Sequence, residues 1–189
     1  MTELCKSFTP KVSSKDYYSM EITLYIATTA DGFIATSDGN SDWVSSADAA
    51  SFEAAAKEQG AIILGRKTFE QFQGEIYPIQ GIRNYVLTSS LPRESSEVLV
   101  KFVGGEPQDI VKSIEVEGVV KALLVGGSHA NGAFFRAGLI DKVIISVHPL
   151  FLGSGMPVFA DSEMVQKLRF DSSERMDDGL IKLYYTVIK

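Results

Sequence analysis

The stretch Ala61-Ile62-Ile63-Leu64-Gly65-Arg66-Lys67-Thr68 decides the fold class of this chain. Its four apolar residues predict a short buried strand, Gly65 allows a tight turn, and a helix is predicted over residues 68–72. The same order recurs where a predicted strand, residues 121–125, runs into the turn Gly126-Gly127-Ser128-His129-Ala130-Asn131 and a helix over 130–137. A strand, a glycine turn and a helix in this order are typical of α/β proteins with parallel sheets.

Strands and helices alternate on both sides of this stretch. The patterns predict strands over residues 22–27, 84–88, 97–103 and 142–149, and helices over 47–59 and 109–116. The last segments, 167–175 and 180–188, predict a hairpin around Asp177-Asp178-Gly179. We therefore expect an α/β fold with a mostly parallel central sheet and an antiparallel C-terminal edge hairpin. It would form one domain over 21–189, preceded by a polar N-terminal tail over 1–20.

Composition excludes several classes of protein. The chain has 189 residues, of which 45% are hydrophobic and 22% charged, as in ordinary globular domains. Its net charge of −6 disfavours a nucleic-acid partner. One cysteine, Cys5, permits no internal disulfide, and with only two histidines we expect no metal site. No apolar run has the length of a membrane helix or a signal peptide, so we expect a cytoplasmic protein with a small-molecule partner.

Three strand ends carry residues suited to a dinucleotide. In Gly65-Arg66-Lys67-Thr68 two cations precede a helix, whose N–H groups attract anions; alternatively Thr68 only caps that helix, with Gln71 as its partner. The Gly126-Gly127 turn allows a pyrophosphate to approach the backbone, although many turns contain two glycines. The third, Thr88-Ser89-Ser90, has hydroxyl groups and no acidic residue, which favours NADP over NAD.

A separate constellation surrounds Asp48. Ser45 and Asp48 have the spacing of a capping box, and Phe52, four residues on, shares a helix face with Asp48. With Trp43 just upstream, this carboxylate could bind and protonate a planar heterocycle. The alternative is that Asp48 only stabilises the helix N-terminus. Asp31, in the Asp-Gly turn after the first strand, is ambiguous in the same way.

Taken together, these motifs resemble those of the dihydrofolate-reductase-like superfamily. Trp43, Asp48, Phe52, the Gly65 turn and Gly126-Gly127 follow one another as in dihydrofolate reductase. Three further segments resemble the reductase domain of riboflavin biosynthesis, namely Asp31-Gly32-Phe33-Ile34-Ala35, Ala137-Gly138-Leu139-Ile140-Asp141 and Pro149-Leu150-Phe151-Leu152-Gly153-Ser154-Gly155. The resemblance implies helices on both faces of the sheet and an NADPH-dependent reduction of 5-amino-6-(5-phosphoribosylamino)uracil or a similar small heterocycle.

The resemblance also implies roles for individual residues. Asp48 would be the catalytic acid and substrate anchor, with Asp31 as its competitor, and Asp31, Trp43 and Phe52 would line the substrate site. Fourteen residues would hold NADPH: Ile26, Ala27, Arg66, Lys67, Thr68, Thr88, Ser89, Ser90, Gly126, Gly127, Ser128, His129, Ala130 and Asn131.

Two other functions remain as alternatives, and the sequence also predicts a homodimer. A dihydrofolate reductase is the first alternative, although Ile82 stands where that family places an arginine for the folate tail. A non-catalytic NADPH-binding protein is the second. We expect a homodimer, because the apolar strands 143–147 and 184–188 lie near one sheet edge. The resemblance to the riboflavin-reductase branch, whose members tend to dimerise, implies the same.

Overall fold

A computed structural model of the protein describes residues 20–89, 97–160 and 163–189. Ser90 and residues 1–19 of the predicted tail lie outside these ranges. The described chain forms ten strands: β1 (Glu21–Thr29), β2 (Phe33–Ala35), β3 (Ala61–Gly65), β4 (Arg83–Leu87), β5 (Val100–Val103), β6 (Lys121–Leu124), β7 (Lys142–His148), β8 (Met156–Pro157), β9 (Leu168–Arg175) and β10 (Ile181–Val187). Four helices accompany them: α1 (Ser46–Gln59), α2 (Arg66–Gln71), α3 (Pro107–Val116) and α4 (Ser128–Arg136).

Eight of the strands form one sheet in the order β5-β4-β3-β6-β1-β7-β10-β9. Every pair from β5 to β7 is parallel, whereas β10 runs antiparallel to both β7 and β9. The C-terminal hairpin predicted around Asp177-Asp178-Gly179 therefore forms the antiparallel edge of the sheet. The predicted fold class is confirmed.

Helices cover both faces of this sheet, as the resemblance implies. On one face α3 and α4 pack on β1 and β6 through side chains such as Ile114 and Phe134. On the other, α1 and α2 pack on β3 and β4 through residues such as Ala56 and Phe69. The central strands are buried on both sides, which explains why their sequences are continuous apolar runs rather than alternating ones.

The structure differs from the sequence predictions mainly at short elements. β2 and β8 form a two-stranded sheet that was not predicted, because segments of three and two residues have no measurable periodicity. α2 begins at Arg66, with Gly65 in the N-cap position and no side-chain cap. The alternative that Thr68 caps this helix is therefore wrong. No helix within the described ranges is long and apolar enough to span a membrane.

Candidate active site

The two glycine turns meet at the carboxyl edge of the sheet. β3 and β6 are neighbouring parallel strands, so the turns that follow them lie side by side. The backbone N–H of Gly65 donates to the carbonyl of Gly126 at 2.7 Å. A Cβ atom on Gly127 would lie 3.2 Å from Thr68 Oγ1. β4 adjoins β3 on the far side, and places Thr88 and Ser89 at the same edge. Among the described residues, the structure brings together all three predicted dinucleotide-binding segments.

The Gly126-Gly127 turn leaves space for an anion. Gly126 has a φ of +101°, and a Cβ atom built on it would meet nothing within 4 Å. α4 begins directly after Gly127, without a side-chain cap, so its first backbone N–H groups and positive dipole end face the turn. Arg66 and Lys67 lie in the first turn of neighbouring α2. The residues present therefore fit the phosphates of a dinucleotide cofactor.

Side chains of α4 hold a neighbouring chain segment rather than pointing into this space. Ser128 Oγ donates to the carbonyl of Pro157 at 2.5 Å, and Asn131 Nδ2 donates to that of Val158 at 3.0 Å. A Cβ atom on Gly132 would overlap the carbonyl oxygen of Ala160. The side chains of Ser128 and Asn131 therefore attach the segment 157–160 to α4. The backbone N–H of Asn131 already donates to the carbonyl of Gly127 at 3.0 Å, so Ser128, at the first position of α4, is the one of the two that can offer its backbone N–H to an anion.

The other α4 residues in the predicted cofactor set differ in exposure. Ala130 is buried, and its Cβ atom lies 3.9 Å from the Cβ position of Gly65, so it packs beneath the two glycine turns. His129 is exposed. The small side chain of Ala130 therefore allows the close approach of α4 to β3.

Arg66 is paired within its own helix. Its Nη1 lies 2.7 Å from Glu70 Oε2, and both side chains are about one-third exposed or more. Exposed pairs of this spacing contribute only about 0.3–0.5 kcal/mol. Arg66 can therefore leave Glu70 for a phosphate at little cost.

β1 extends past its neighbour β6. The ladder between them ends at Leu24 and Leu124, whereas β1 continues to Thr29 beside β7. On the β6 side, Ile26 and Ala27 therefore extend past the last paired residue, toward the edge where the Gly126 turn begins; on the other side they pair with Ile145 and Ser146 of β7. The role that the resemblance gives this backbone, to contact the carboxamide of a nicotinamide, stays a prediction.

Asp48 faces the sheet from the first turn of α1. The Ser45 hydroxyl accepts the backbone N–H of Asp48 at 3.2 Å, which confirms Ser45 as the helix cap. The Asp48 side chain is 1% exposed, and its Oδ1 accepts hydrogen bonds from Tyr25 Oη at 2.8 Å and Ser146 Oγ at 2.6 Å. The carboxylate therefore binds β1 and β7, and does more than stabilise the start of its own helix.

A buried lysine completes this arrangement. Lys182 Nζ lies 3.6 Å from Asp48 Oδ1, donates to Tyr25 Oη at 2.9 Å, and donates to Ser51 Oγ. We call Tyr25, Asp48, Ser51, Ser146 and Lys182 the Asp48 cluster. Burial lowers the pKa of Lys182, although the charge of Asp48 opposes this, and burial together with Asp48 raises the pKa of Tyr25. The raised pKa of Tyr25 means that it stays a neutral phenol, which donates to the Asp48 carboxylate.

The sequence did not point to four members of this cluster. Lys182 alternates with Ile181 and Leu183 in a strand, so the pattern predicts a solvent-facing lysine. Its burial follows from register, because Lys182 lies opposite Ser146 and Ser146 lies opposite Ala27. These side chains share the face that α1 covers. A single sequence gives no information on that alignment.

Aromatic side chains flank Asp48. The Phe52 ring lies 5.4 Å from that of Tyr25. The Trp43 ring contacts His148 edge-on at 5.1 Å, and the Nε1 atom of Trp43 is buried with no partner among the described residues. His148 Nε2 accepts the backbone N–H of Ser45 at 3.2 Å, which ties Trp43 to the start of α1. Phe52 thus contacts the Asp48 cluster through Tyr25, whereas Trp43 contacts His148 outside it. Their place in a substrate site stays a prediction.

Asp31 belongs to a different network. Its carboxylate accepts the backbone N–H groups of Gly153 at 2.7 Å and Leu152 at 3.2 Å, and the hydroxyl of Thr29 at 2.5 Å. The Thr29 hydrogen bond, aided by those from the backbone, lowers the pKa of Asp31. Asp31 therefore fastens the loop after β7 to the end of β1, and the Asp48 cluster does not include it.

Comparisons with known proteins agree with this geometry. The model of the RibD C-terminal domain family matches residues 20–182. The uncharacterized protein YwjB of Bacillus subtilis is 29% identical over 167 residues, which cover 86% of this chain and 95% of YwjB. The riboflavin biosynthesis protein RibD of Mycobacterium tuberculosis is 29% identical over 181 residues, and the match covers 85% of this chain and 52% of that protein.

Solved structures share the fold. The crystal structure of a protein of Shewanella sp. PV-4, provisionally named a riboflavin biosynthesis protein, superimposes on this chain with a TM-score of 0.75 at 25% identity. The match covers 90% of this chain and all of that one. RibD of Acinetobacter baumannii gives a TM-score of 0.73 at 20% identity, over 90% of this chain and 59% of RibD. The chain therefore belongs to the RibD C-terminal domain family.

Proposed function

We propose that this protein is an NADPH-dependent reductase of a small pyrimidine, with 5-amino-6-(5-phosphoribosylamino)uracil as the first substrate to test. One observation carries the proposal. The buried Asp48 cluster includes Tyr25, which directly precedes the Ile26 and Ala27 backbone that extends toward the edge where the Gly126 turn begins. A heterocycle bound at Asp48 would therefore lie next to a nicotinamide held at this turn.

The chain's own residues would bind NADPH along the sheet edge. The backbone of Gly126, Gly127 and the first turn of α4 would hold the pyrophosphate, with Lys67 supplying positive charge, while Arg66 would contact the 2′-phosphate of NADPH. Thr88 and Ser89 would contact the adenosine side, where hydroxyl groups tolerate a 2′-phosphate. When bound, NADPH supplies the hydride.

Asp48 would bind and orient the substrate. Both hydroxyl hydrogen bonds and the Lys182 ion pair involve its Oδ1, which leaves Oδ2 to accept an N–H of a pyrimidine ring. Trp43 and Phe52 would exclude water from the two sides of that ring, and the unpartnered Trp43 Nε1 would donate to a ring carbonyl. By accepting this N–H, the ionised carboxylate would orient and polarise the ring while the acceptor gains the hydride and a proton.

Relatives support the substrate class. A Thermotoga maritima structure with the same fold, at 17% identity and a TM-score of 0.71, is named a deaminase and 5-amino-6-(5-phosphoribosylamino)uracil reductase. This chain spans 57% of that protein. For the alternative of a dihydrofolate reductase the structure offers less, because Ile82 is buried and the neighbouring Arg83 is exposed.

A substrate panel tests the proposal. NADPH oxidation would be followed with the phosphoribosylaminopyrimidine and with dihydrofolate, using Arg66→Ala as a variant impaired in cofactor binding. We expect turnover of the pyrimidine. Turnover of dihydrofolate alone would favour the first alternative, and calorimetric binding of NADPH without any turnover would favour the non-catalytic binding protein.

We also propose that two copies of the chain pair through the C-terminal edge. All eight residues of β9 are exposed, and this edge strand carries the half-exposed Phe170, with Ile181 of β10 close in exposure. An uncovered edge with apolar side chains is suited to pairing. The predicted homodimer rests on this edge.

A further inference from the structure

Lys182 is the buried charge for which the proposed function gives no role. It is 1% exposed, and its ammonium lies between Asp48 Oδ1 at 3.6 Å and Tyr25 Oη at 2.9 Å. Burying an ammonium is costly unless it is paired, so its place in the site needs a reason. It comes from the C-terminal hairpin, whereas Asp48 comes from α1, so the pair links two distant parts of the chain.

The pair sets the charge of the substrate site. A lone buried carboxylate would carry one negative charge and favour a heterocycle that binds as a cation. With Lys182 beside it, the formal charges of Asp48 and Lys182 sum to zero. Around them, Tyr25 on β1 is a neutral phenol, His148 lies on β7, and Glu174 on β9 lies opposite Lys182 in register and favours its charged form.

We propose that Lys182 is a positioning residue that keeps Asp48 ionised and fixed, so that the site selects an uncharged N–H donor over a cationic heterocycle. This inference rests on the proposed function, because it assigns the substrate's N–H to Asp48. Lys182 acts through Asp48 and Tyr25 and does not contact the reacting atoms. Burial without a counter-charge disfavours the ionised form of any carboxylate, and a protonated acid is a poorer acceptor of an N–H.

A double-mutant cycle tests this role. The variants are Lys182→Met, Asp48→Asn and the double variant, with Lys142→Met as the control. Lys142 lies on β7, and its Nζ atom forms a half-exposed ion pair with Glu21 Oε2 of β1 at 2.8 Å. Replacing Lys142 therefore removes an ammonium outside the cluster. For each variant, kcat and KM would be measured across about pH 6 to 9. Calorimetric binding of 5,6-diaminouracil would be measured over the same range, which gives a readout without turnover.

We expect Lys182→Met to raise KM about 10–100-fold near pH 6, with a smaller change in kcat. The defect should shrink as pH rises, because the carboxylate regains its charge, and the affinity for diaminouracil should follow the same curve. A role limited to folding would give no such recovery with pH. In the Asp48→Asn background, adding Lys182→Met should change neither KM nor the pH profile. Lys142→Met should behave like the unsubstituted protein.

Other results would overturn the proposal. One is a folded Lys182→Met variant with unchanged KM and pH profile; another is a double variant with a KM different from that of Asp48→Asn. If Lys182→Met fails to fold, the KM and pH profile of the double variant are compared with those of Asp48→Asn, and a difference between the two overturns the proposal. If the protein shows no turnover but its binding of diaminouracil still depends on Lys182 and on pH, the proposed function is contradicted and the role of Lys182 is not. If the unsubstituted protein does not bind diaminouracil, Lys182 has no role in a substrate site.

Discussion

Replacing Asp48 with asparagine should affect folding and turnover through one interaction, the buried pair with Lys182. Asparagine keeps an oxygen that accepts from Tyr25 or Ser146 but has no charge to balance the ammonium 3.6 Å away. Removing one partner of a buried ion pair costs about 3–5 kcal/mol. The helix-dipole contribution of a first-turn carboxylate is only about 0.3–1 kcal/mol. The ion pair therefore dominates the loss of stability, and turnover should fall about 10²–10⁴-fold because the carboxylate that orients the substrate is lost.

The stability loss should depend on pH in a defined direction. Burial lowers the pKa of Lys182 in the folded protein, and Asp48 opposes that effect. Without Asp48, the unfolded chain binds a proton at Lys182 that the folded chain holds weakly, so stability rises with pH. The free-energy gap between Asp48→Asn and the unsubstituted protein should therefore be largest near neutral pH. It should narrow toward about pH 10, where the unfolded lysine also loses its proton.

Urea unfolding followed by circular dichroism, together with NADPH oxidation, measures both effects. Asp109→Asn is the matched control, because Asp109 is also a first-turn acid, in α3, but is 72% exposed in its pair with Lys112. We expect that variant to lose at most about 1 kcal/mol. If Asp48→Asn costs no more than Asp109→Asn and leaves turnover intact, the reasoning is refuted.

Four further predictions follow from other parts of the structure. Arg66→Ala should weaken NADPH binding by about 1.5–3 kcal/mol and leave NADH binding nearly unchanged in calorimetry; equal losses would contradict a contact between Arg66 and the 2′-phosphate. Light scattering should give twice the mass of one chain, and Phe170→Glu should halve it; a single-chain mass for the unsubstituted protein rules out the dimer. Asp31→Asn should lower the melting temperature while reducing turnover less than Asp48→Asn does; because its hydrogen bonds lower the pKa of Asp31, their stabilisation is present above about pH 4 and lost as pH falls further. Gly132→Ala should destabilise the protein by about 1–3 kcal/mol in urea, since its Cβ would overlap the carbonyl of Ala160; a neutral effect would mean that the segment 157–160 yields easily.

The sequence predicted the strands and turns that have local patterns. It did not predict the side-chain contacts that depend on how the strands pair. Runs such as Ala61–Gly65 and the glycine turns after them are local signals, so the parallel sheet could be predicted directly, together with the edge at which we propose that a dinucleotide binds. Asp48 and Phe52 could be placed on one helix face by spacing alone. Their partners on β1, β7 and β10 could not, because strand pairing over more than a hundred residues leaves no periodic trace.

Side-chain direction was the second limit. Ser128 and Asn131 were predicted to hold a cofactor from their place in a glycine turn. Their side chains instead bind the carbonyls of Pro157 and Val158, about 30 residues away in sequence. Likewise, an Asp-Gly turn gives no sign that Asp31 receives N–H groups from Leu152 and Gly153. Spacing identifies residue types suited to a task, and tertiary contacts decide which task each performs.

The origin of Lys182 in β10 has a consequence for the order of folding. β1 and α1 are made early in synthesis, yet the ammonium that neutralises Asp48 belongs to a strand made more than 130 residues later. Until that hairpin docks, α1 cannot close over β1 without burying a lone carboxylate. We therefore expect α1 and the C-terminal hairpin to gain amide hydrogen-exchange protection together, as one late cooperative unit. The Asp48 cluster would then be complete only after β10, the last strand to be synthesised, has joined the sheet.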